Sequence, residues 1–243
     1  EDGYENDLNN PISGTSVIWG DGNLANGVAP GYPADLLPVG AVIILTNLIN
    51  LPRNPAVLNY DGRDRIGASK PIVITRAAFA TVPGPLLATA SPLYDTTRWG
   101  TDFAIPIGTN TSTANRLFSY CALFISAAEN GTVVAVDRNG DGVVDQTNTL
   151  NQGDNLVVAN GILAGATVAS SKPVQVHELT GRIGSTYASR TFAIRPRDQW
   201  DTSYHAAVGT TLASEVHNIF LFNPNPANLT VAYLTAAGNG SFT

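Results

Sequence analysis

Ser170-Ser171-Lys172-Pro173-Val174, followed by Trp200-Asp201-Thr202-Ser203-Tyr204, is written twice in this chain. The earlier version is Ala68-Ser69-Lys70-Pro71-Ile72, followed by Trp99-Gly100-Thr101-Asp102-Phe103, and Ile107-Gly108-Thr109 answers Val208-Gly209-Thr210. Pro71 and Pro173 lie 102 residues apart and Trp99 and Trp200 lie 101 apart, so the register drifts by one residue between them. The only two lysines, Lys70 and Lys172, fall at the same repeat position, which argues for duplication over chance. A period near one hundred residues exceeds that of the usual solenoids and suits a duplicated small domain.

The composition around this repeat is that of short strands. Thr, Asn, Gly and Pro are plentiful, while long amphipathic runs rich in Lys and Glu are missing. The expected fold is all-β, and 243 residues leave ample surface to bury in a core. Charged residues make up 13% of the chain, its net charge is −6 and its cations do not cluster, which argues against a nucleic-acid partner. One cysteine, Cys121, sits in an apolar run, so neither an intrachain disulfide nor a cysteine zinc site can form, and a small buried hydrophobe is expected there. No methionine occurs, not even at position 1, and the sequence therefore reads as an exported, mature product. The apolar run 39–51 is broken by Thr46, Asn47 and Asn50 and falls short of a membrane span.

Residues 1–14 are acidic, rich in Asn, and read as an arm with little to bury. Strands are expected over 15–19, 39–46, 56–60 and 70–75, with Pro71 allowed at a strand's first residue because it need not donate to the ladder. Gly20-Asp21-Gly22-Asn23-Leu24-Ala25 formally matches a dinucleotide fingerprint, but Gly27, Pro30, Gly31 and Pro33 forbid the helix that such a site needs, and a β-turn is the better reading. Residues 115–129 carry apolar side chains at helical spacing. The repeat sets them opposite 216–222, whose β-branched and aromatic content suits a strand, so both are expected as strands. Further strands are expected over 132–136, 155–159 and 165–168. The connections 78–92 and 181–197 read as long and irregular, and 227–233 repeats the part played by 132–136.

Asn-Gly-Thr-Val-Val over 130–134, an Asp-rich turn, Leu150 to Gly153, Gly165 to Val174 and the trailing Trp200 to Tyr204 together resemble the N-terminal-type domain of IgGFc-binding proteins, found also in large secreted bacterial proteins. The resemblance covers the second copy well and the first loosely. It implies an all-β fold, an extracellular setting and a binding or structural role with no catalytic residues. Antibody binding is not carried over, because fold-level similarity does not fix function.

The sharpest local signal is the run of Asp137, Asn139, Asp141 and Asp145, with Gly142 at the sixth loop position and the Val143 carbonyl at the seventh. Hard oxygen donors at these spacings are how a tight loop wraps calcium. Asn148 stands where a bidentate Glu would complete the loop, and the flanks read as strands, so a hairpin turned by Asn-Gly and Asp-Gly is the competing account. Residues Asp21, Asn23, Asp61 and Asp64 of the first copy form no equivalent series. His177, His205 and His217 match no catalytic motif and read as satisfied or exposed sheet histidines. Trp99 and Trp200 read as packing residues, as does Trp19. Lys70 and Lys172 read as solvated turn lysines, and Asn110, Asn130, Asn228 and Asn239 begin sequons that mark exposed positions.

These readings combine into two tandem, similar β-sandwich domains, 15–112 and 113–214, preceded by the arm 1–14 and followed by a truncated third copy, 215–243; a propeller-like array is the alternative. A terminal copy without its own sheet exposes edge groups, which proteins avoid or exploit. The function expected is that of a secreted structural protein whose C-terminal strands complete a neighbour's N-terminal domain, giving a head-to-tail filament or sheath at the cell surface. The alternative is a monomeric adhesion or carbohydrate-binding module that meets glycans through the long connections, with Tyr94 and Tyr187 as the nearby aromatics. No catalytic cleft is singled out.

Overall fold

The computed structural model describes residues 39–40, 42, 70–78, 89–112, 117–159, 161–182, 190–206, 219–235 and 237–243. The arm 1–14, the turn 20–25, the strands expected over 15–19 and 56–60, most of 39–46, and Trp19, Tyr187 and His217 lie outside the described residues.

What is described is all-β, as expected. The strands are β1 Thr75–Ala78, β2 Thr89–Pro92, β3 Gly100–Ala104, β4 Tyr120–Ala127, β5 Thr132–Asp137, β6 Gln146–Leu150, β7 Asn155–Val158, β8 Thr167–Gly181, β9 Arg190–Ile194, β10 Val231–Thr235 and β11 Gly238–Phe242. Two short 3-10 turns, Thr96–Arg98 and Arg197–Gln199, are the only helical pieces among the described residues. β4 confirms that the 115–129 run contains a strand. From Leu123 onward its buried residues alternate, Leu123, Ile125 and Ala127 facing inward, because a sheet has a period of two.

β8 organises the sheet. Along one edge its first half pairs with β5, Val136 opposite Val168, and its second half with β4, Ile125 opposite Val176. Along the other edge it pairs first with β3, Phe103 opposite Val168, and then with β9, Val176 opposite Ile194. Two four-stranded antiparallel layers therefore share β8, one in the order β6-β5-β8-β3 and the other β7-β4-β8-β9. Pro173 sits at the joint, between Ser170, the last residue paired to β5, and Val174, the first paired to β4, where the absent N–H costs no ladder bond. The core lies between the layers and is led by Phe103, Ile105, Leu123, Ile125, Val134 and Val176, none more than 1% exposed.

The long connections differ from expectation. Each ends in a strand, β2 after 79–88 and β9 after 183–189, and each strand returns to pair with the strand that precedes it, which satisfies backbone groups that a loop would leave to water. The two returns share a register. Thr75 stands opposite Pro92, and His177, 102 residues after Thr75, stands opposite Ala193, 101 residues after Pro92. The turns that follow also match. The Trp99 indole N–H donates to the Tyr94 carbonyl at 3.1 Å and the Trp200 indole N–H donates to the Arg195 carbonyl at 3.1 Å. Both indoles are half-buried caps of a 3-10 turn, packing residues as the sequence suggested.

After the first of these turns the chain enters β3, which lies before residue 112 in sequence yet is hydrogen-bonded to β8. Gly100 opens that strand because a Cβ there would collide with the Pro196 ring, and the Gln199 side-chain amide donates to the Arg98 carbonyl at 2.7 Å, so the two turns are locked together. The chain then leaves β9 through the Trp200 turn and ends in the hairpin β10-β11, a two-stranded sheet on its own.

Candidate functional site

The 137–145 loop joins β5 to β6. Asp137 ends β5 and is 4% exposed, whereas Asn139, Asp141, Val143 and Asp145 are exposed. The loop is closed by its own amides. One Asp137 carboxylate oxygen accepts from the Asn139 and Gly140 N–H groups at 3.1 and 2.7 Å, and the other from Gly142 N–H at 2.8 Å. Asn139 Oδ1 accepts from Asp141 N–H, Asp141 Oδ1 from Val143 N–H, and Asp145 Oδ2 from Arg138 N–H. Gly140 and Gly142 take φ of 75° and 87°, the left-handed region that Asn-Gly and Asp-Gly turns require. Backbone donors thus offset the mutual repulsion of the carboxylates, and bonds from Val143 N–H and the Asn139 amide hold the Asp141 carboxyl below its usual range.

The sequence assigned this run to a cation or to a hairpin, and the hairpin is what the strands form. Among the described residues no three His, Cys, Asp or Glu side chains converge as a metal cluster. The donor set is nevertheless all oxygen. Asp137 Oδ1 takes two amide hydrogens and has no lone pair to spare, whereas Asp137 Oδ2 and the Asp141 and Asp145 carboxylates keep one beyond their hydrogen bonds; with Asn139 and the Val143 carbonyl they are the oxygen donors a hard cation would need.

A second cluster was missed at the sequence level. Glu178 is fully buried in β8, with neither carboxylate oxygen reached by a hydrogen-bond donor. Its signal was readable, because Glu178 shares the parity of Val174 and Val176 along one strand and so must face the same core. Burial pushes its carboxyl up to about 8, and the adjoining Cys121 thiol, which donates to the Phe118 carbonyl, is pushed by burial up to about 12. The expectation that Cys121 is a small buried hydrophobe holds. His177, on the opposite face, is 9% exposed and its Nε2 has no hydrogen-bond partner, so it is neither the exposed nor the satisfied histidine expected. Burial first, and the Arg76 charge second, hold it down to about 4, so it is neutral near pH 7.

Lys172 is not a merely solvated lysine. Its ammonium donates to the Asn130 carbonyl at 2.8 Å and lies 3.6 Å from Glu129, which pins β8 to the turn between β4 and β5. Asn110, Asn130, Asn228 and Asn239 are all exposed.

The third region is the C-terminal part of the chain, where exposed apolar side chains occur in segments outside the strands and in the β10-β11 hairpin. Ile219 is 65% exposed, Leu221 62% and Leu234 84%, and Tyr204, after the second Trp turn, is 65% exposed. The strand expected over 216–222 is not formed in its described part, 219–222, where Ile219, Phe220 and Leu221 are all exposed. Phe220 packs edge-on against Phe118 with ring centroids 5.3 Å apart, while Ile219 and Leu221 stay open to solvent. Exposed apolar side chains mark an interaction surface where they adjoin in one patch.

The fold and these sites define the class: an all-β chain in which a strand from one side of a Trp-capped turn completes a sheet on the other. No protein-family model, no curated protein and no solved structure matches this chain. No helix among the described residues is long and apolar enough to cross a membrane.

Proposed function

We propose that this chain is a secreted structural protein, made of tandem copies of one β-sandwich unit, that self-assembles head to tail into an extracellular filament or sheath by strand complementation. The observation that carries the reading is the two-stranded sheet β10-β11, whose Leu234 is 84% exposed, together with the exposed Ile219 and Leu221 that precede it in the chain. A lone two-stranded sheet is marginal in water and gains stability by adding strands. The chain already uses such an addition internally, where β3 crosses into the sheet of β8 and buries Phe103 to 1%. The matching registers and indole caps support the duplication, and the resemblance to secreted IgGFc-binding-type domains supports the extracellular setting.

Calcium belongs to the same proposal as a weak ligand of the 137–145 loop, adding rigidity between β5 and β6 rather than creating the fold. The reading assigns no catalytic role. The test is sedimentation and electron microscopy of the purified chain across a concentration series, with calcium and with a chelator. Ordered filaments that disappear when 219–243 is deleted are expected. A monomer at every concentration would sink the reading.

A further inference from the structure

We propose that Asn130-Gly131, in the turn between β4 and β5, is a site of self-modification by loss of ammonia. The Gly131 amide nitrogen attacks the Asn130 side-chain carbonyl carbon, ammonia leaves, and water opens the resulting cyclic imide to aspartate or isoaspartate.

The attacked carbonyl has to be polarised. Gln152 N–H donates to Asn130 Oδ1 at 3.0 Å, placed to stabilise the oxyanion that forms on attack. The attacking amide has to lose its proton. Its own peptide carbonyl, that of Asn130, accepts from the Lys172 ammonium at 2.8 Å, and a cation on that oxygen favours the deprotonated amide. The nitrogen also has to be free to move. Gly131 N–H makes a long bond of 3.4 Å to Asn151 Oδ1, both Asn130 and Gly131 are exposed, and nothing lies within 4 Å of the place a Gly131 Cβ would take. Glycine at 131 puts no side chain in the way of ring closure.

The bond between Gly131 N and Asn130 Cγ forms, the Cγ–Nδ2 bond breaks, the Gly131 proton departs with the ammonia, and water is the only further reactant. The product carries a carboxylate beside Lys172, and the chain gains one negative charge. Isoaspartate also adds a carbon to the main chain at the residue through which Lys172 pins β8 to this turn. Two other Asn-Gly pairs lie among the described residues, and the fold withholds these aids from both. Gly140 N–H is taken by the Asp137 carboxylate at 2.7 Å, an anion that opposes a second negative charge on the nitrogen, and the Gly165 backbone crowds Gly140. Asn239-Gly240 is held extended in β11, opposite Leu234 and Tyr233, with the Tyr233 ring over Gly240.

The test incubates the folded chain at neutral pH and locates the modified residue by peptide mapping with mass spectrometry and by enzymatic methylation of isoaspartate. Asn130 is expected to convert at least about tenfold faster than Asn139 and Asn239, the factor that one charge-assisted hydrogen bond supplies. In urea, where the donors of the fold are gone, the same residues are expected to convert at similar rates. Lys172→Gln, checked for native circular dichroism, is expected to slow Asn130 by about tenfold and to leave Asn139 unchanged. Equal rates at Asn130, Asn139 and Asn239 in the folded chain overturn the proposal, as does an Asn130 lead that persists undiminished in urea, and both results come from the unmodified chain alone. An Asn130 rate unchanged in folded Lys172→Gln overturns the part given to the lysine.

Discussion

Phe103 of β3 stands directly opposite Val168 of β8, and the two are 1% and 0% exposed. A residue that follows the first Trp turn is thus a keystone of the sheet that ends at the second. Phe103→Ala is expected to destabilise the chain by about 3–5 kcal/mol, the range for emptying a buried aromatic site. Tyr204→Ala, at the matching exposed position, is expected to stay within about 0.5 kcal/mol in dilute monomer. Urea unfolding of the two variants checks this, and equal effects would contradict the placement of β3.

Stability is expected to depend on pH in two opposed ways. Glu178 holds its proton to about 8 when folded but to 4.5 when unfolded, so its contribution is complete below pH 4.5 and is lost as pH rises through 8. His177 titrates at about 4 when folded and 6.5 when unfolded, so its contribution is complete above pH 6.5 and is lost as pH falls through 4. The two slopes cancel between pH 4.5 and 6.5. Thermal melts should therefore show a plateau there and a decline on both sides, each pKa unit being worth about 1.4 kcal/mol. Glu178→Gln is expected to remove the alkaline decline and leave the acid limb. An unchanged alkaline limb would remove Glu178 as its source.

Asp137 accepts three amide hydrogens and is nearly inaccessible. Asp137→Ala strands those donors and is expected to cost about 1–3 kcal/mol with or without calcium. Calcium at ten times its dissociation constant should add about 1.4 kcal/mol to the native loop and nothing to the variant. Calorimetric melts with calcium and with chelator separate the two terms, and a chain that unfolds on chelation alone would contradict the preformed loop.

A methyl group at Gly108 would run into the backbone of Leu163 and Ala164, which cannot retreat because Thr109 N–H donates to the Ile162 carbonyl at 2.8 Å and Gly165 N–H to the Ile105 carbonyl at 2.8 Å. Gly108→Ala is expected to lose at least about 1–3 kcal/mol by overpacking. Gly131→Ala, with open space around it but a φ of 68°, should lose only about 1–2 kcal/mol from backbone strain. Comparing the two melts checks that crowding and not handedness dominates at Gly108.

Much of the fold was legible. The 115–129 run read correctly as holding a strand through its alignment with 216–222, although the described part of that partner, 219–222, forms no strand itself, and the Asn-Gly and Asp-Gly pair pointed to the hairpin between β5 and β6. The strands inside the long connections were not legible, since β9, with Arg190 and Thr191, carries too short a pattern until β8 lies beside it. The burial of Glu178 is encoded only in its parity with Val176 along β8. A carboxyl reads as solvent-facing unless the strand's face is followed residue by residue.

The sequence by itself determined the local chemistry: which runs extend, where they turn, and that the Lys-Pro and Trp motifs recur at nearly one spacing. Those depend on side chains near in sequence, through sterics at φ and ψ and through period-two burial. Only the tertiary structure decided that β3 joins β8, that one strand runs through Pro173 to serve two layers, and that Lys172 reaches Asn130 across 42 residues. Strand partners are selected by complementary faces and edges far apart along the chain, and nothing local to either strand encodes the other.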